Sequence, residues 1–153
     1  MYEIKDITLS EIDNAINLAL KVFMEFEAPE YSQEGINSFT SYVKSEDFKE
    51  MFKEGNNIFL GCYDKEKLVG LIAFRSDSHI SLLFVDKEYH RKGIATRLME
   101  EAVIRIKNKG IKEITVNSSP YAVPFYHSVG FKDTNSEQLT DGIRYTPMKY
   151  IVK

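Results

Sequence analysis

Apolar side chains recur every three or four positions through the first third of the chain, and this spacing predicts helices. A short predicted strand, YEIKDIT, comes first, and Ser10 is then a candidate helix N-cap with Asp13 three residues on. Pro29 is expected to end this first helix. Its apolar stripe consists of Ile12, Ala15, Ile16, Ala19, Val22, Phe23 and Phe26. Residues 34–54 predict one or two more helices, closed by Gly55, from the spacing of Ile36, Phe39, Val43, Phe48 and Phe52.

The hydrophobic pattern then changes to that of strands. Three short runs are rich in β-branched, aromatic and other apolar residues: NNIFLGCYD, KLVGLIAFR and HISLLFV. The polar tetrapeptide Asp64-Lys65-Glu66-Lys67 joins the first two runs and suits a hairpin turn. Arg75-Ser76-Asp77-Ser78 is the next predicted turn. These runs predict three consecutive strands.

Helices and strands alternate in the second half of the chain. After the turn YHRKG, a helix ending near Gly110 is predicted from the stripe Ile94, Leu98, Ala102 and Ile106. IKEITVN predicts a strand, and YAVPFYHSVGF predicts a short helix with Gly130 as its C-cap. IRYTPMKYIV predicts a last strand, in which Pro147 indicates an edge or a bulge. The order predicts a single mixed α/β (α+β) domain over residues 1–153, built around one sheet.

Composition adds bounds on the kind of protein. The 153 residues carry a formal net charge of −3, which argues weakly against a general nucleic-acid binder. Cys62 is the only cysteine, so no intramolecular disulfide can form, and its place in a predicted strand indicates a buried packing residue. The sequence shows neither a signal-peptide pattern nor an apolar run of about 18 residues. We therefore expect a soluble protein of a reducing cytoplasm that does not bind membranes.

The segment YHRKGIATRLME places two cations and a glycine where a helix begins. A helix N-terminus exposes unpaired N–H groups with a partial positive charge and attracts anions. Gly93 lets a phosphate approach the backbone, and Arg91 and Lys92 add positive charge. The pattern favours a pyrophosphate site, although a solvated turn would also explain it. The phosphate-loop pattern G-x-x-x-x-G-K-[ST] and the dinucleotide pattern G-x-G-x-x-G are both absent.

Two segments resemble motifs of the GNAT N-acetyltransferases. LLFVDKEYHRKGIATRLM resembles the family's motif A, whose loop is [QR]-x-x-G-x-[GA]. The matching residues are His90, Arg91, Lys92, Gly93, Ile94 and Ala95, and His90 departs from the usual Gln or Arg. NSSPYAVPFYHSVGF resembles a later motif with Y-x-x-x-G-F, which is Tyr126, Gly130 and Phe131 here. The order of elements along almost the whole chain also resembles the family fold, in which two splayed parallel strands form the acetyl-coenzyme A cleft.

The resemblance implies acetyl-coenzyme A as cosubstrate and no metal. The splayed strands would be HISLLFV and IKEITVN. Backbone groups of Leu83, Phe84 and Val85 would bond the pantetheine arm like an added strand. The turn from Arg91 to Thr96 would hold the pyrophosphate. Asn117 either contacts the pantetheine or the acceptor, or only forms the turn at the end of its strand.

The resemblance also implies direct attack of an amine on the thioester. A backbone N–H near Val85 would stabilise the oxyanion. Tyr126 is the candidate acid for the departing thiolate, against the alternative of a packed structural tyrosine. His79 is a candidate general base, against the alternative of a partly exposed histidine at a strand end. Glu27 is a candidate for binding a cationic acceptor in the segment FEAPEYSQEG, although surface carboxylates are commonly just solvated.

Three functions stay open on the sequence. The leading hypothesis is an acetyl-coenzyme A-dependent N-acetyltransferase, an acyltransferase whose acceptor is a small amine or a protein amino group. The first alternative is a noncatalytic acyl-coenzyme A-binding module that regulates a partner. The second is an interaction domain whose basic turn contacts an anionic protein or nucleic acid, which the acidic balance disfavours. A homodimer formed through an edge strand, for which the C-terminal strand could serve, is also expected from the resemblance.

Overall fold

The fold is one open sheet with helices on both faces. The computed structural model describes residues 2–54, 57–75 and 78–153. Its strands are β1 Tyr2–Asp6, β2 Ile58–Asp64, β3 Lys67–Phe74, β4 His79–Val85, β5 Glu113–Ser118, β6 Lys132–Asp133, β7 Gln138–Thr140 and β8 Ile143–Ile151. They form an eight-stranded sheet in the order β1-β2-β3-β4-β5-β8-β6, and β7 also pairs with β8. β4 and β5 run parallel, whereas the other recorded pairs are antiparallel. The predicted mixed α/β sheet is confirmed.

The helices also follow the predicted order. They are α1 Ile12–Val22, α2 Gln33–Val43, α3 Glu46–Lys53, α4 Ile94–Asn108 and α5 Val123–Ser128. α1 continues without a break into a π-helical turn, Phe23–Glu27, and then into a 3₁₀ turn, Ala28–Glu30. Pro29 lies in the 3₁₀ turn, after which the chain becomes extended at Tyr31. None of the described helices is long and apolar enough to cross a membrane.

The N-cap predicted at Ser10 is wrong by two residues. Thr8 caps a short 3₁₀ turn, Leu9–Glu11, that leads into α1. The Thr8 hydroxyl donates to Glu11 Oε1 at 3.0 Å, and the Thr8 backbone N–H donates to the same oxygen at 3.4 Å. The predicted pair, Ser10 and Asp13, and the observed pair, Thr8 and Glu11, have the same spacing. The longer Glu11 side chain reaches back across one turn, whereas the shorter Asp13 side chain does not. Two predictions fall outside the described residues. They are the end of the predicted helical region at Gly55, and the part of the predicted turn formed by Ser76 and Asp77.

Each face of the sheet carries its own hydrophobic core. On one face α4 packs against the sheet through Leu98, Ala102 and Ile106, all 1% exposed or less. On the other face α1–α3 cover the sheet through residues such as Ala19, Phe23 and Phe48. Cys62 is fully buried in the first core, as expected for a packing residue. The strands between two helical layers are therefore held in place from both sides.

The sheet opens between β4 and β5. The two strands pair only at His79 with Thr115 and at Ile80 with Val116. One residue further on, β4 carries a bulge: Ala73 of β3 faces Leu82 and Phe74 faces Ile80, so Ser81 is the extra residue. A bulge bends its strand and re-aims the side chains beyond it. The predicted splay of the two parallel strands is therefore present, and it starts at this bulge.

The prediction that Pro147 marks an edge or a bulge holds only for the outer side of β8, where the pairing with β6 has ended and that with β7 has not begun. β8 lies inside the sheet, and Pro147 pairs with Asn117 of β5 without a register shift. The N–H and C=O of one strand residue point to the same side, and here that side faces the end of β6. The Pro147 carbonyl accepts from the Thr134 N–H at 2.8 Å, just after β6 ends, so the missing N–H disrupts no ladder. Because β6 and β7 pair with parts of its outer side, β8 is not a free edge strand, and the homodimer stays a prediction.

Candidate active site

A cavity of about 210 Å³ lies where β4 and β5 separate. β4 contributes its bulge and the residues after it, and β5 contributes the polar segment at its end. α1's π-helical turn, α2 and α5 close the other sides, and β8 contributes one residue. The lining residues are Phe23, Glu27, Tyr31, Phe39, Tyr42, Ile80, Ser81, Leu82, Leu83, Phe84, Val116, Asn117, Ser118, Ser119, Ala122, Tyr126 and Ile143.

Tyr126 is fixed in this cavity by the way α5 ends. The Phe131 N–H donates to the Tyr126 carbonyl at 2.9 Å, and the Gly130 N–H donates to the His127 carbonyl at 3.1 Å. These two bonds form a Schellman motif, which needs a left-handed residue, and Gly130 has a φ of 105°. The predicted C-cap is therefore one residue off, because Val129 is the C-cap and Gly130 is the left-handed residue that follows it. Burial and the nearby Glu27 carboxylate raise the pKa of Tyr126, so its hydroxyl keeps its proton at neutral pH.

Glu27 reaches the same cavity from the end of the π-helical turn. Burial raises the pKa of Glu27 to about 7, although a hydrogen bond from the Ser119 side chain acts in the opposite direction. The negative charge of Glu30 contributes to the increase. A carboxyl group with a pKa near 7 exchanges a proton with an acceptor far more readily at neutral pH than an ordinary surface glutamate. The structure thus brings Glu27 and Tyr126 together.

The basic turn lies at the start of α4 on the surface. Arg91, Lys92 and Gly93 are exposed, and Arg91 and Gly93 have φ values of 63° and 75°. The first backbone hydrogen bond of α4 runs from the Arg97 N–H to the Gly93 carbonyl, so the amides just before Arg97 have no acceptor within the helix. The first turn has no acidic residue. A Cβ at Gly93 would meet nothing within 4 Å, so a phosphate has room to approach the backbone.

The other residues of this motif divide between the turn and the core. Ile94 is buried and packs near Gly70 of β3, whereas Ala95 is half-buried and Thr96 is exposed. Ile94 therefore anchors the helix N-terminus against the sheet. The turn itself presents backbone groups and the two cations to solvent.

The predicted pantetheine groups lie along the free side of β4. Leu83 and Phe84 line the cavity. The Val85 carbonyl is bonded by the His90 imidazole, with 2.7 Å between Nε2 and O. The Phe26 ring lies 4.8 Å from the His90 ring and 5.2 Å from the Tyr121 ring, measured between centroids. His90, at the position where the motif has Gln or Arg, therefore contacts the same backbone carbonyl that the resemblance assigns to pantetheine.

His79 and Asn117 have different surroundings. His79 Nδ1 lies 2.7 Å from Thr115 Oγ1 at the point where β4 and β5 still pair, and His79 does not line the cavity. Asn117 is exposed and lines the cavity, opposite Pro147. The structure thus brings Asn117 to Glu27 and Tyr126, and it does not bring His79 there.

Several residues of the cavity were not singled out from the sequence. Ser119 follows β5, is 8% exposed, and bonds Glu27. Tyr31 and Tyr42 come from the segment between α1 and α3. The signal for Ser119 was the polar run NSS directly after a predicted strand. The two tyrosines carried no local signal, because long-range packing brings them to β4. No group of three or more His, Cys, Asp or Glu side chains suited to a metal ion occurs in residues 2–54, 57–75 and 78–153.

Comparisons with known proteins agree on one family. A family model described as the acetyltransferase (GNAT) domain matches residues 27–152. The spermidine N(1)-acetyltransferase of Thermoplasma acidophilum is 27% identical over 141 residues, which cover 85% of this chain and 88% of that protein. The uncharacterized N-acetyltransferase YafP of Escherichia coli is 35% identical over 71 residues, which cover 46% of this chain and only 43% of that protein.

The solved structures agree in fold. The PaiA N-acetyltransferase from Thermoplasma acidophilum, crystallised with coenzyme A, superposes with a TM-score of 0.82 at 24% identity and covers 99% of both chains. The chain therefore belongs to the GNAT acetyltransferases, and the predicted family and class of enzyme, an acyltransferase, are confirmed.

Proposed function

We propose that this protein transfers an acetyl group from acetyl-coenzyme A to a primary amine by direct attack on the thioester. The observation that carries the proposal is the cavity at the β4–β5 splay, which holds a carboxyl group with a pKa of about 7 and a protonated tyrosine. These are the two proton-transferring groups that an amine acetylation needs. The relatives named N-acetyltransferases support nitrogen as the accepting atom.

The residues present fit a coenzyme A molecule. The exposed turn from Arg91 to Thr96 offers free amides, two cations and an unobstructed glycine for the pyrophosphate. The separated edge of β4 at Leu83, Phe84 and Val85 offers backbone groups for the pantetheine amides. A pantetheine bond to the Val85 carbonyl would replace the bond that His90 makes there. When bound, acetyl-coenzyme A supplies the activated acyl carbon.

Glu27 and Tyr126 take the proton-transfer roles in this proposal. Ionised Glu27 attracts the ammonium form of the acceptor and accepts its proton, which frees the nitrogen lone pair. The nitrogen attacks the thioester carbon and forms the C–N bond, and it then loses its second proton to solvent. As the C–S bond breaks, the Tyr126 hydroxyl donates its proton to the departing sulfur. A backbone N–H of β4 near Val85 would stabilise the oxyanion. Proton exchange with solvent then restores the Glu27 carboxylate and the Tyr126 hydroxyl. Because the amine attacks the thioester directly, the reaction leaves no covalent intermediate on the protein.

Binding and transfer can be tested separately. A ligand present at 100 times its Kd stabilises a protein by about 2.7 kcal/mol. Each kcal/mol raises the melting temperature of a domain near this size by about 2–4 °C. Saturating coenzyme A is therefore expected to raise it by roughly 5–10 °C. Replacing Arg91 and Lys92 by Ala should weaken this shift and reduce its dependence on salt.

The matched control removes two charges from the other end of the same helix. Lys107 and Lys109 are exposed at the C-terminal end of α4, away from the basic turn, so the variant with Ala at both positions should keep the full thermal shift. Acetyl transfer is then followed by mass spectrometry over a panel of amines. No shift at millimolar coenzyme A would contradict the proposal. A normal shift without transfer to any amine would favour a noncatalytic acyl-coenzyme A-binding module instead.

A further inference from the structure

The acceptor side of the cavity contains a single charge. Of the described residues that line it, only Glu27 has an ionisable acidic or basic side chain of the Asp, Glu, Lys, Arg or His type. Glu30 and Glu34, its acidic neighbours in the sequence, are exposed and do not line the cavity. Arg144, near the rim, is held by both carboxylate oxygens of Glu137 at 3.1 and 3.2 Å. The cavity can therefore pair one ammonium group with a carboxylate, and a second one inside it would lose its water without gaining a partner of opposite charge.

Much of the remaining wall is aromatic, although Ser81, Asn117, Ser118 and Ser119 also line the cavity. The Phe23 and Phe39 rings stack with centroids 4.0 Å apart and planes inclined by 12°. The Tyr31 ring packs on Phe23 at 5.5 Å, and Phe84 packs edge-on against Phe39 at 5.8 Å. Tyr42, 37% exposed, lies on α2 at the cavity wall. Such walls stabilise an apolar or aromatic group by removing its surface from water.

The β7–β8 hairpin borders the cavity through Ile143. Its two-residue turn, Asp141-Gly142, packs directly on α2, where a Cβ at Gly35 would collide with the Gly142 carbonyl oxygen. The Tyr31 hydroxyl donates to the Arg144 carbonyl at 3.2 Å, and the Ser38 hydroxyl donates to the Asp141 carbonyl at 2.9 Å. The cavity volume of about 210 Å³ lies below the roughly 300 Å³ at which pockets for drug-sized molecules begin. Only the end of a peptide or of a long chain that carries the amino group would fit inside it, where the stacked phenyl rings favour an apolar substituent over a peptide backbone.

We infer that the acceptor is a small primary monoamine with an apolar substituent, aromatic or alkyl, and neither a polyamine nor a peptide N-terminus. The amino group would pair with Glu27, and the substituent would lie against the Phe23–Phe39 wall. This inference rests on the proposed function for the direction of transfer. It rests on the walls of the cavity for the kind of amine.

The test compares 2-phenylethylamine, n-hexylamine, spermidine and a tetrapeptide with a free N-terminus at pH 8. Calorimetry measures their binding to the enzyme–coenzyme A complex, and mass spectrometry measures acetylation. We expect the two monoamines to exceed spermidine and the peptide by about 10-fold or more, both in affinity and in kcat/KM. Binding without acetylation of any amine would contradict the proposed function but not the monoamine pocket. Equal or tighter binding of spermidine or the peptide, or no binding of the monoamines, would overturn the inference.

One variant tests the charge count directly. Tyr42→Glu adds a second carboxylate to the cavity wall, so it should raise the ratio of spermidine to 2-phenylethylamine binding. Ser41→Glu adds the same charge at the neighbouring exposed position of α2, outside the cavity, and should leave that ratio as it is in the wild type. The coenzyme A-dependent thermal shift reports whether each variant is folded. Equal ratios in the two variants would overturn the inference, because the number of charges in the cavity would then not decide between the two amines.

Discussion

At the scale of single residues, the site depends on two groups whose surroundings raise their pKa values. Tyr126 and Glu27 each lose hydration in the cavity, and the Glu27 carboxylate further disfavours ionisation of Tyr126. The loss of hydration places the pKa of Glu27 near 7 and keeps the Tyr126 hydroxyl protonated at neutral pH. Pairs of titratable groups separated in this way can supply a base and an acid at the same pH.

Tyr126→Phe tests the role of the hydroxyl. It removes one oxygen and keeps the ring, so the fold and the coenzyme A-dependent thermal shift should survive. If Tyr126 is the general acid, the rate of transfer should fall by about 10²–10⁴. Single-turnover transfer is the measurement, because slow product release would hide part of the loss.

The control for this variant is Tyr63→Phe. Tyr63 is also a buried tyrosine, 1% exposed, but it lies on β2 and does not line the cavity. Loss of the Tyr63 hydroxyl should change the melting temperature and leave the transfer rate near that of the wild type. If Tyr126→Phe stays within about threefold of wild type, a structural tyrosine and water as the proton donor would be the better explanation.

Glu27→Gln tests the carboxyl group through pH. The transfer rate of the wild type should rise with pH around 7, the pKa of Glu27, because the ionised form is the base. The variant should lose this limb of the pH profile along with most of its activity. Glu25→Gln, an exposed carboxylate of the same π-helical turn, should keep the limb. A profile that is unchanged in Glu27→Gln would remove this residue from the proton pathway.

Glu27→Gln is also expected to change the stability of the protein in a way that depends on pH. Between the ordinary value of 4.5 and about 7, folded Glu27 keeps its proton while the unfolded chain has lost it. Folding then takes up a proton, so this group's contribution to stability falls as the pH rises through that window. Glu27→Gln removes the penalty. Its melting temperature should therefore exceed that of the wild type by more at pH 8 than at pH 5, and an equal difference at both would contradict the raised pKa.

At the scale of elements, local departures from regular structure position the site. The π-helical turn carries Phe23 to the aromatic wall and Glu27 into the cavity, and such turns are frequent at functional sites. The bulge at Ser81 starts the opening of β4 from β5. The Asp141-Gly142 turn, with φ values of 53° and 79°, forms the tight hairpin whose Ile143 borders the cavity.

Gly35→Ala tests whether this hairpin is a wall of the acceptor site. The added methyl group would meet the Gly142 carbonyl, so α2 and the hairpin must separate, at a cost of about 1–3 kcal/mol. KM for the acceptor should rise, while the coenzyme A-dependent thermal shift, which depends on the other side of the cleft, should persist. Asn37→Ala, exposed on the same helix, is the control. Lost stability with an unchanged acceptor KM would assign the contact to folding alone.

At the scale of the whole molecule, two helical layers hold an interrupted sheet. Each face of the sheet has a separate core, so β4 is fixed to β3 and to both helical layers even where its bond to β5 is lost. Opening a sheet leaves backbone groups without partners, which is costly unless a ligand or water satisfies them. The stability of the flanking layers makes this opening tolerable, and the opening provides the site.

The hydrophobic periodicity determined most of the elements, and local chemistry determined several of their ends. Gly130 was predictable as part of the end of α5 because a Schellman motif needs a left-handed residue, and the basic turn before Ile94 because a helix N-terminus attracts anions. Both effects act within a few residues. The similarity of two such segments to family motifs extended this reading to the fold, the family and the class of enzyme.

Only the tertiary structure decided which side chains share the cavity. Glu27 and Tyr126 lie 99 residues apart in the numbering, and nothing near either residue fixes its distance from the other. The π-helical turn turns Glu27 inward, while the pairing of β4 with β5 keeps His79 at Thr115 and out of the cavity. The sequence pattern indicated an edge or a bulge at Pro147, but only the structure shows that the interruption is limited to one side of an internal strand, where β6 ends. Burial, which sets the pKa of Glu27, depends on packing from several elements at once, and so it became visible only in the folded chain.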